Sequence, residues 1–456
     1  MAAIALGASM AVPMVGAAVP SVAAAAACSV GGDVDPTNDL QAAIDGAASG
    51  STLTIGGTCT GNFKISKSLT IQKRANADEA VLQGDGGRTL RIFDGTVKLV
   101  GVEITGGTAP NCPAWNLYVC GGGLYVDAPA VVTLDQVSVH HNSAIGTDTQ
   151  GPSTYGGGIY SGGSLTITRS TINDNESTAS NGRGDAAGIA SDGLLVIRSS
   201  LITGNRGFSA SDPSWGAGVY EYQGKLLVSD TTIYGNVARG SRAGNGGGVY
   251  IHDGSAAFRR SLISGNRAEA TTGTDTSGGA IWTNGPVVIE NSTIARNVAD
   301  TAGAIMAEGD VTLTASTVAR NQATLAGGAL VQAAGRLTLR ASIVALNLAG
   351  GSGKDCLVQS GATTTDRGWN LLGTGQGCVG FVNGRRGDKV GTDARRINPR
   401  LDVISMNGGQ TPTMALLPGS PAINAAGSAP CAVPVDQRGV RRPQGGRCDI
   451  GAYEKR

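Results

Sequence analysis

Aromatic side chains are scarce in this chain: Phe, Trp and Tyr together make up 4% of its 456 residues. A core of packed rings is therefore excluded, and the 41% hydrophobic content must lie mainly in small aliphatics. Charge is scarce too, at 15% Asp, Glu, Lys and Arg, with a formal net charge of only +1. A nucleic-acid partner would be met by a basic face, so none is expected. Only three histidines occur, His140, His141 and His252, which leaves little scope for histidine-based catalysis. No CxxC spacing exists and no His lies near a cysteine, so no metal centre is expected on the cysteines. Glycine, by contrast, is abundant at 72 residues. Without a collagen period, that content points to tight, repeated turns.

Residues 1–27 are apolar and Ala-rich and end in Ala25-Ala26-Ala27, which fits an A-x-A cleavage site before Cys28. The many Ala and Gly and two Pro make this segment a weak membrane span. The expectation is a signal peptide over 1–27, a secreted, extracellular product and no stable membrane span after processing. The eight cysteines fall in near-neighbour pairs. Eight cysteines allow 105 pairings, and the simplest is four local disulfides: Cys28 with Cys59, Cys112 with Cys120, Cys356 with Cys378, and Cys431 with Cys448. An oxidising compartment follows.

The glycines recur with fixed partners. Leu165, Ile167 and Ile172 stand ten, eight and three residues before Asn175. The same offsets hold before Asn142, Asn205, Asn236, Asn297, Asn321 and Asn347, and before Asn266 with Ala256, Phe258 and Ile263. Five residues before the Asn stands Ser170, Ser200, Thr231, Ser261, Ser292, Ser316 or Ser342. Spacing by two puts both aliphatics on one face of a strand. A unit this small cannot bury its face alone, so the units must stack as a solenoid. The aliphatic after each Gly cluster (Ile159, Ile189, Val219, Val249) keeps a distance of 16 or 17 residues to its Asn. Length therefore varies after the Asn, in segments such as "ESTASNGRGDAA" and "RGFSASDPSWGA". These are polar and Gly/Ser/Thr-rich, and read as loops aligned along one side. At about 4.8 Å per coil, the eight asparagines are expected to form a structural amide ladder.

Near the N-terminus, "DPTNDLQAAIDGAA" reads as a short helix with Asp35 as N-cap and Pro36 at the first helical position. It is followed by the strands of "STLTIGGTCTGNFKISKSLTIQ". This arrangement resembles the start of right-handed parallel β-helix proteins of the pectin-lyase-like superfamily. "INPRLDVISMNGGQTPTMALLPGSPAINAAG" and "DQRGVRRPQGGRCDIGAYE", within Ile397–Glu454, resemble the C-terminal signature of the choice-of-anchor Q family of secreted bacterial repeat proteins. The expected fold is all-β: a single-stranded right-handed parallel β-helix with a short N-terminal helical cap and an irregular C-terminal cap. The expected organisation is a cap over 28–59, the β-helix over 60–378 and a choice-of-anchor Q-like region over 379–456. The chain ends at Lys455-Arg456 with no LPxTG motif, which favours a free secreted monomer.

Many β-helix proteins of the superfamily that this chain resembles act on polysaccharides, but fold alone does not license that activity. Glycoside hydrolysis needs two carboxylates roughly 5–10 Å apart. The outward column seven before each Asn contains only Asp135 and Glu290 as acids, five coils or roughly 24 Å apart. The column nine before contains Val196, Leu227, Ala257 and Val288, an apolar patch expected to be covered by the inserted loops. Neither GHG nor adjacent aspartates, as in pectin-degrading hydrolases, occur. The remaining catalytic candidates flank the ladder: His141, Asp174, Glu176, Asp185 and Arg206, a set that could serve a lyase with Arg206 as base or hold Ca²⁺. The competing reading is a surface Glu176–Arg206 pair of little energetic weight. Trp115, Trp215 and Trp282 could stack on sugars or pin their own segments. Two RGD tripeptides, Arg183–Asp185 and Arg386–Asp388, read as chance occurrences in glycine-rich sequence. The favoured expectation is a non-catalytic exported scaffold presenting loops to a polysaccharide or cell-surface glycan. The alternative is a lyase or hydrolase acting on an acidic polysaccharide along the same face.

Overall fold

The computed structural model describes residues 26–113, 118–147, 153–427 and 430–456. Residues 1–25, and with them most of the expected signal peptide, lie outside the described residues. Alternating aliphatics separated by corner residues give a coil of four short strands. In one coil these are Ile159–Ser161, Ser164–Thr168, Thr171–Asn173 and Glu176–Ala179. Each pairs in parallel with its equivalent in the next coil, as Leu165↔Leu195 and Ile172↔Ile202. Among the described residues the first strands form an eleven-stranded sheet and the fourth strands an eight-stranded one. The second and third strands share a 25-stranded sheet folded at its corner. The chain is an all-β right-handed parallel β-helix.

The corners explain why the strands stay short. Between second and third strands, Arg169, Ser199, Asp230, Arg260 and Asn291 adopt left-handed backbone with φ between 46° and 51°. The next corner places Asp174 at φ 51°, and Gly204, Gly235 and Gly265 in the same region. Inside, Ile159, Leu165, Ile167 and Ile172 are fully or almost fully buried. Full burial of each such side chain contributes roughly 1.5–3 kcal/mol.

The asparagines form a continuous ladder. Asn175 donates from Nδ2 to Oδ1 of Asn205 at 3.0 Å and to the Val139 carbonyl of the preceding coil at 3.0 Å. The amide-to-amide contact repeats from Asn142 to Asn347. It ends on the Oδ1 of Asp355, 2.9 Å from Asn347 Nδ2. A parallel hydroxyl series runs beside it, with Ser170 N–H donating to Ser200 Oγ and Ser292 N–H to Ser316 Oγ. The third glycine of each cluster packs on its own ladder amide: a Cβ at Gly158 would lie 2.9 Å from the Asn175 side chain.

The segments after each Asn, expected as loops, begin as strands. Their first residues are the fourth strands, in register from Ser143–Gly146 to Leu348–Ala349. Their buried positions carry Ser177, Ala179, Ser209, Ala238 and Ala268. Side chains this small bury too little apolar surface to produce a strand signal in sequence. Short bridges follow, as Tyr155↔Asp185 and Trp215↔Asn245.

At the N-terminal end, Ser29–Gly32 pairs antiparallel with Thr52–Thr60, and the Cys28–Cys59 disulfide ties the two together. The helix spans Leu40–Gly46, and its N-cap is Asp39, which accepts from Ala42 N–H at 3.0 Å. Asp35 and Pro36 are not its start, because Thr37 exchanges backbone hydrogen bonds with Val30 and holds this stretch extended. The other cysteines pair as Cys112–Cys120, Cys356–Cys378 and Cys431–Cys448. Parallel pairing ends at Lys389–Val390. The chain then forms the antiparallel hairpin Leu401–Ser405/Thr413–Leu416 and folds back along the third strands. Leu401, Met414, Leu416 and Ile450 pack on Ala295, Ala319 and Ala345 there. No helix among the described residues is long and apolar enough to cross a membrane.

Candidate functional site

Each first strand presents its middle residue outward, directly after the buried aliphatic. In register this column reads Arg91, Tyr125, Tyr160, Ala190, Tyr220, Tyr250 and Trp282. Parallel stacking turns it into a series of ring contacts. Tyr125 and Tyr160 stack at 4.9 Å, Tyr220 and Tyr250 at 5.5 Å, and Tyr250 and Trp282 at 4.4 Å. Trp215, from an inserted segment, stacks on Tyr250 at 4.9 Å. Seven of the nine tyrosines belong to this cluster or pack against it.

The column is interrupted once, at Ala190. A pocket of about 440 Å³ is lined by Tyr160 and Tyr220, from the coils on either side of it. Tyr118, Tyr155 and Trp215 contribute from the inserted segments, and Tyr222 and His252 from the ends of the first strands. Arg183 and Asp192 complete the lining. The volume falls within the range of small-ligand sites, and rings with a few convergent polar groups are their usual lining.

The charges are arranged unequally. Arg183 lies over the Trp215 ring at 4.1 Å, donates to the Tyr155 hydroxyl at 2.5 Å and approaches Asp185 Oδ2 at 3.3 Å. Asp185 is fully buried and accepts from Trp215 N–H at 2.9 Å. Burial pushes its carboxyl up to about 7, against the opposing pull of Arg183 and of that N–H. Burial alone would lower the Arg183 pKa, but Asp185 and Tyr155 outweigh it and raise it. Arg183 is thus committed to Asp185. Asp192 has no such cation: among the described residues it makes no ion pair, and accepts only from the Tyr160 hydroxyl, at 2.5 Å. Burial raises the pKa of both Asp192 and Tyr160. Behind the pocket, Glu221 points into the coil between Tyr220 and Tyr222. It is fully buried, and burial pushes it up to about 9 against the opposing pull of Ser191.

The sequence-derived candidates divide between two faces. Asp174 is an exposed corner residue, bonded to Asn173 at 2.7 Å. Glu176 and Arg206 are register neighbours on the fourth strands, both exposed. His141 is an exposed corner residue whose Nδ1 lies 2.8 Å from that of His140. The Asp185 side chain turns away from these into the aromatic cluster. No group of three or more His, Cys, Asp or Glu is placed to hold a metal ion among the described residues. Trp215 and Trp282 both stack on Tyr250, while Trp115 lies outside the described residues. Neither RGD can present its carboxylate, since Asp185 and Asp388 are 0% and 2% exposed. The apolar column on the second strands is unevenly exposed, from Val196 at 7% to Val288 at 42%. Among the described residues the inserted segments lie between the fourth and first strands.

Sequence reasoning missed the tyrosine column and Arg183. The signal was available one residue after each aliphatic anchor: Tyr160 after Ile159, Tyr220 after Val219, Tyr250 after Val249 and Trp282 after Ile281.

A family model described as the right handed beta helix region matches residues 213–364. Among solved structures, the chain is similar to one described as the crystal structure of pectate lyase Pel9A. The TM-score is 0.43 at 17% identity, over 91% of each chain. No curated protein matches the chain.

Proposed function

We propose that this is an exported, non-catalytic β-helix whose flank pocket binds a sugar ring of a glycan. The observation that carries the reading is the pocket lined by Tyr160 and Tyr220, from the coils on either side of Ala190, the gap in the aromatic column. Flat rings offer stacking faces to the C–H faces of a pyranose. Arg183, Asp192 and the tyrosine hydroxyls supply hydrogen bonds around them. Four disulfides fit an oxidising, extracellular setting. The motifs within Ile397–Glu454 support a place among choice-of-anchor Q-like secreted proteins. The non-catalytic reading is favoured because, among the described residues, Asp192 is the only carboxylate lining the pocket, whereas hydrolysis needs a pair.

The test is to fill the gap. Ala190→Tyr would continue the ring column between Tyr160 and Tyr220 and occupy the pocket. On a glycan array the native protein is expected to bind a defined set of oligosaccharides, and Ala190→Tyr to lose them with an unchanged circular dichroism spectrum. Unsaturated or reducing-end product released from uronate polymers, with or without Ca²⁺, would instead establish an enzyme.

A further inference from the structure

The pocket's charges favour one kind of sugar. Arg183 is held by Asp185, Tyr155 and the Trp215 face, so its guanidinium is already engaged inside the protein. His252 stands 3.3 Å from Asp253 on the rim. Further along the column, outside the pocket lining, Arg91 is paired with Asp127 at 2.8 Å. Glu221, facing away into the coil, is protonated at neutral pH and adds no charge. The acid of the lining that makes no ion pair among the described residues is Asp192, half-buried among tyrosine and tryptophan rings. Ring faces carry negative potential, which attracts a desolvated cation placed over them. An anionic sugar would meet the Asp192 carboxyl, while Arg183 of the described lining is already engaged by Asp185.

Resting on the glycan reading, we propose that the sugar bound in this pocket is an amino sugar, with its free ammonium against Asp192 and the surrounding rings. The carboxylate accepts from the ammonium while keeping the Tyr160 hydroxyl as its second partner.

Calorimetry with three tetrasaccharides tests this: a glucosamine oligomer, its fully N-acetylated counterpart and oligogalacturonate. The glucosamine oligomer is expected to bind at least about tenfold more tightly than the acetylated one, the scale of one charge-assisted contact. Asp192→Asn, which keeps an acceptor for Tyr160, is expected to abolish that preference, and Asp192→Glu to retain part of it. Equal binding of the amine and acetylated forms, or a preference for oligogalacturonate, would overturn the amino-sugar assignment and leave the glycan pocket standing. Binding of tetramethylammonium by a protein that takes none of the oligosaccharides would overturn the glycan reading itself.

Discussion

Position 221 shows how one residue can make the stability of a solenoid depend on pH. Register puts Glu221 in line with Ser191 and Ile251, facing inward between two pocket tyrosines. Its carboxyl is raised from 4.5 to about 9 by burial, so the folded state holds the proton over a range where the unfolded chain releases it. The stabilisation is fully present below about pH 4.5 and is lost as pH rises towards 9. Glu221→Gln keeps the shape and cannot ionise. It is expected to be more stable than the native protein by about 3 kcal/mol at pH 7, the difference vanishing near pH 4. Urea unfolding at the two pH values checks this, and a gap of constant size at both would refute it. The pocket is likewise decided by single residues. Its aromatic column was legible from the anchors, since each ring follows a buried aliphatic by one position. The role of Arg183 was not, because its partners come from three coils.

Among the elements, the asparagine corners are where sequence and structure correspond most directly. A constant offset from two aliphatics, a Ser and a Gly cluster leaves little freedom in where Asn175 or Asn236 can lie. The energetic weight of one rung follows from its bonds. Asn236 Oδ1 accepts from both the backbone N–H and the Nδ2 of Asn205, and its own Nδ2 donates to Ile202 O and to Asn266 Oδ1. Asn236→Ala leaves buried groups of two neighbouring coils without partners, at a cost of about 2–4 kcal/mol. Chemical denaturation should show that loss, whereas Asn173→Ala, on an outward position of a third strand, should change stability by under about 0.5 kcal/mol. The fourth strands were illegible for the opposite reason. Ser177, Ala179, Ala238 and Ala268 pack because the coil is narrow there, a property of the stack and not of any one repeat.

For the whole molecule, the notable contacts run between residues far apart in sequence. A solenoid is close to one-dimensional, each coil touching only its neighbours. The C-terminal region departs from this by bridging several coils at once. Gln437 donates to Ser261 O and accepts from Thr293 Oγ1, Arg320 donates to Leu401 O, and Ala452 N–H donates to Thr317 Oγ1. The "DQRGVRRPQGGRCDIGAYE" motif builds the clamp from within. Arg442, almost fully buried, donates to Glu454 Oε2 at 2.9 Å, Asp449 O at 3.0 Å and Gly451 O at 2.6 Å. The motif's presence was readable, but its docking flank was not, because alanines at 295, 319 and 345 look ordinary until a second segment needs close approach. Arg442→Ala leaves the Glu454 carboxyl buried without its cation, which costs about 3–5 kcal/mol. The damage should stay local. Hydrogen exchange is expected to speed up on the third strands between Thr293 and Ala345 and on the hairpin, while Ile172 and Ile202, far from the clamp, keep their protection. Uniformly faster exchange along the whole rod would mean that the C-terminal region supports global folding instead of clamping one flank.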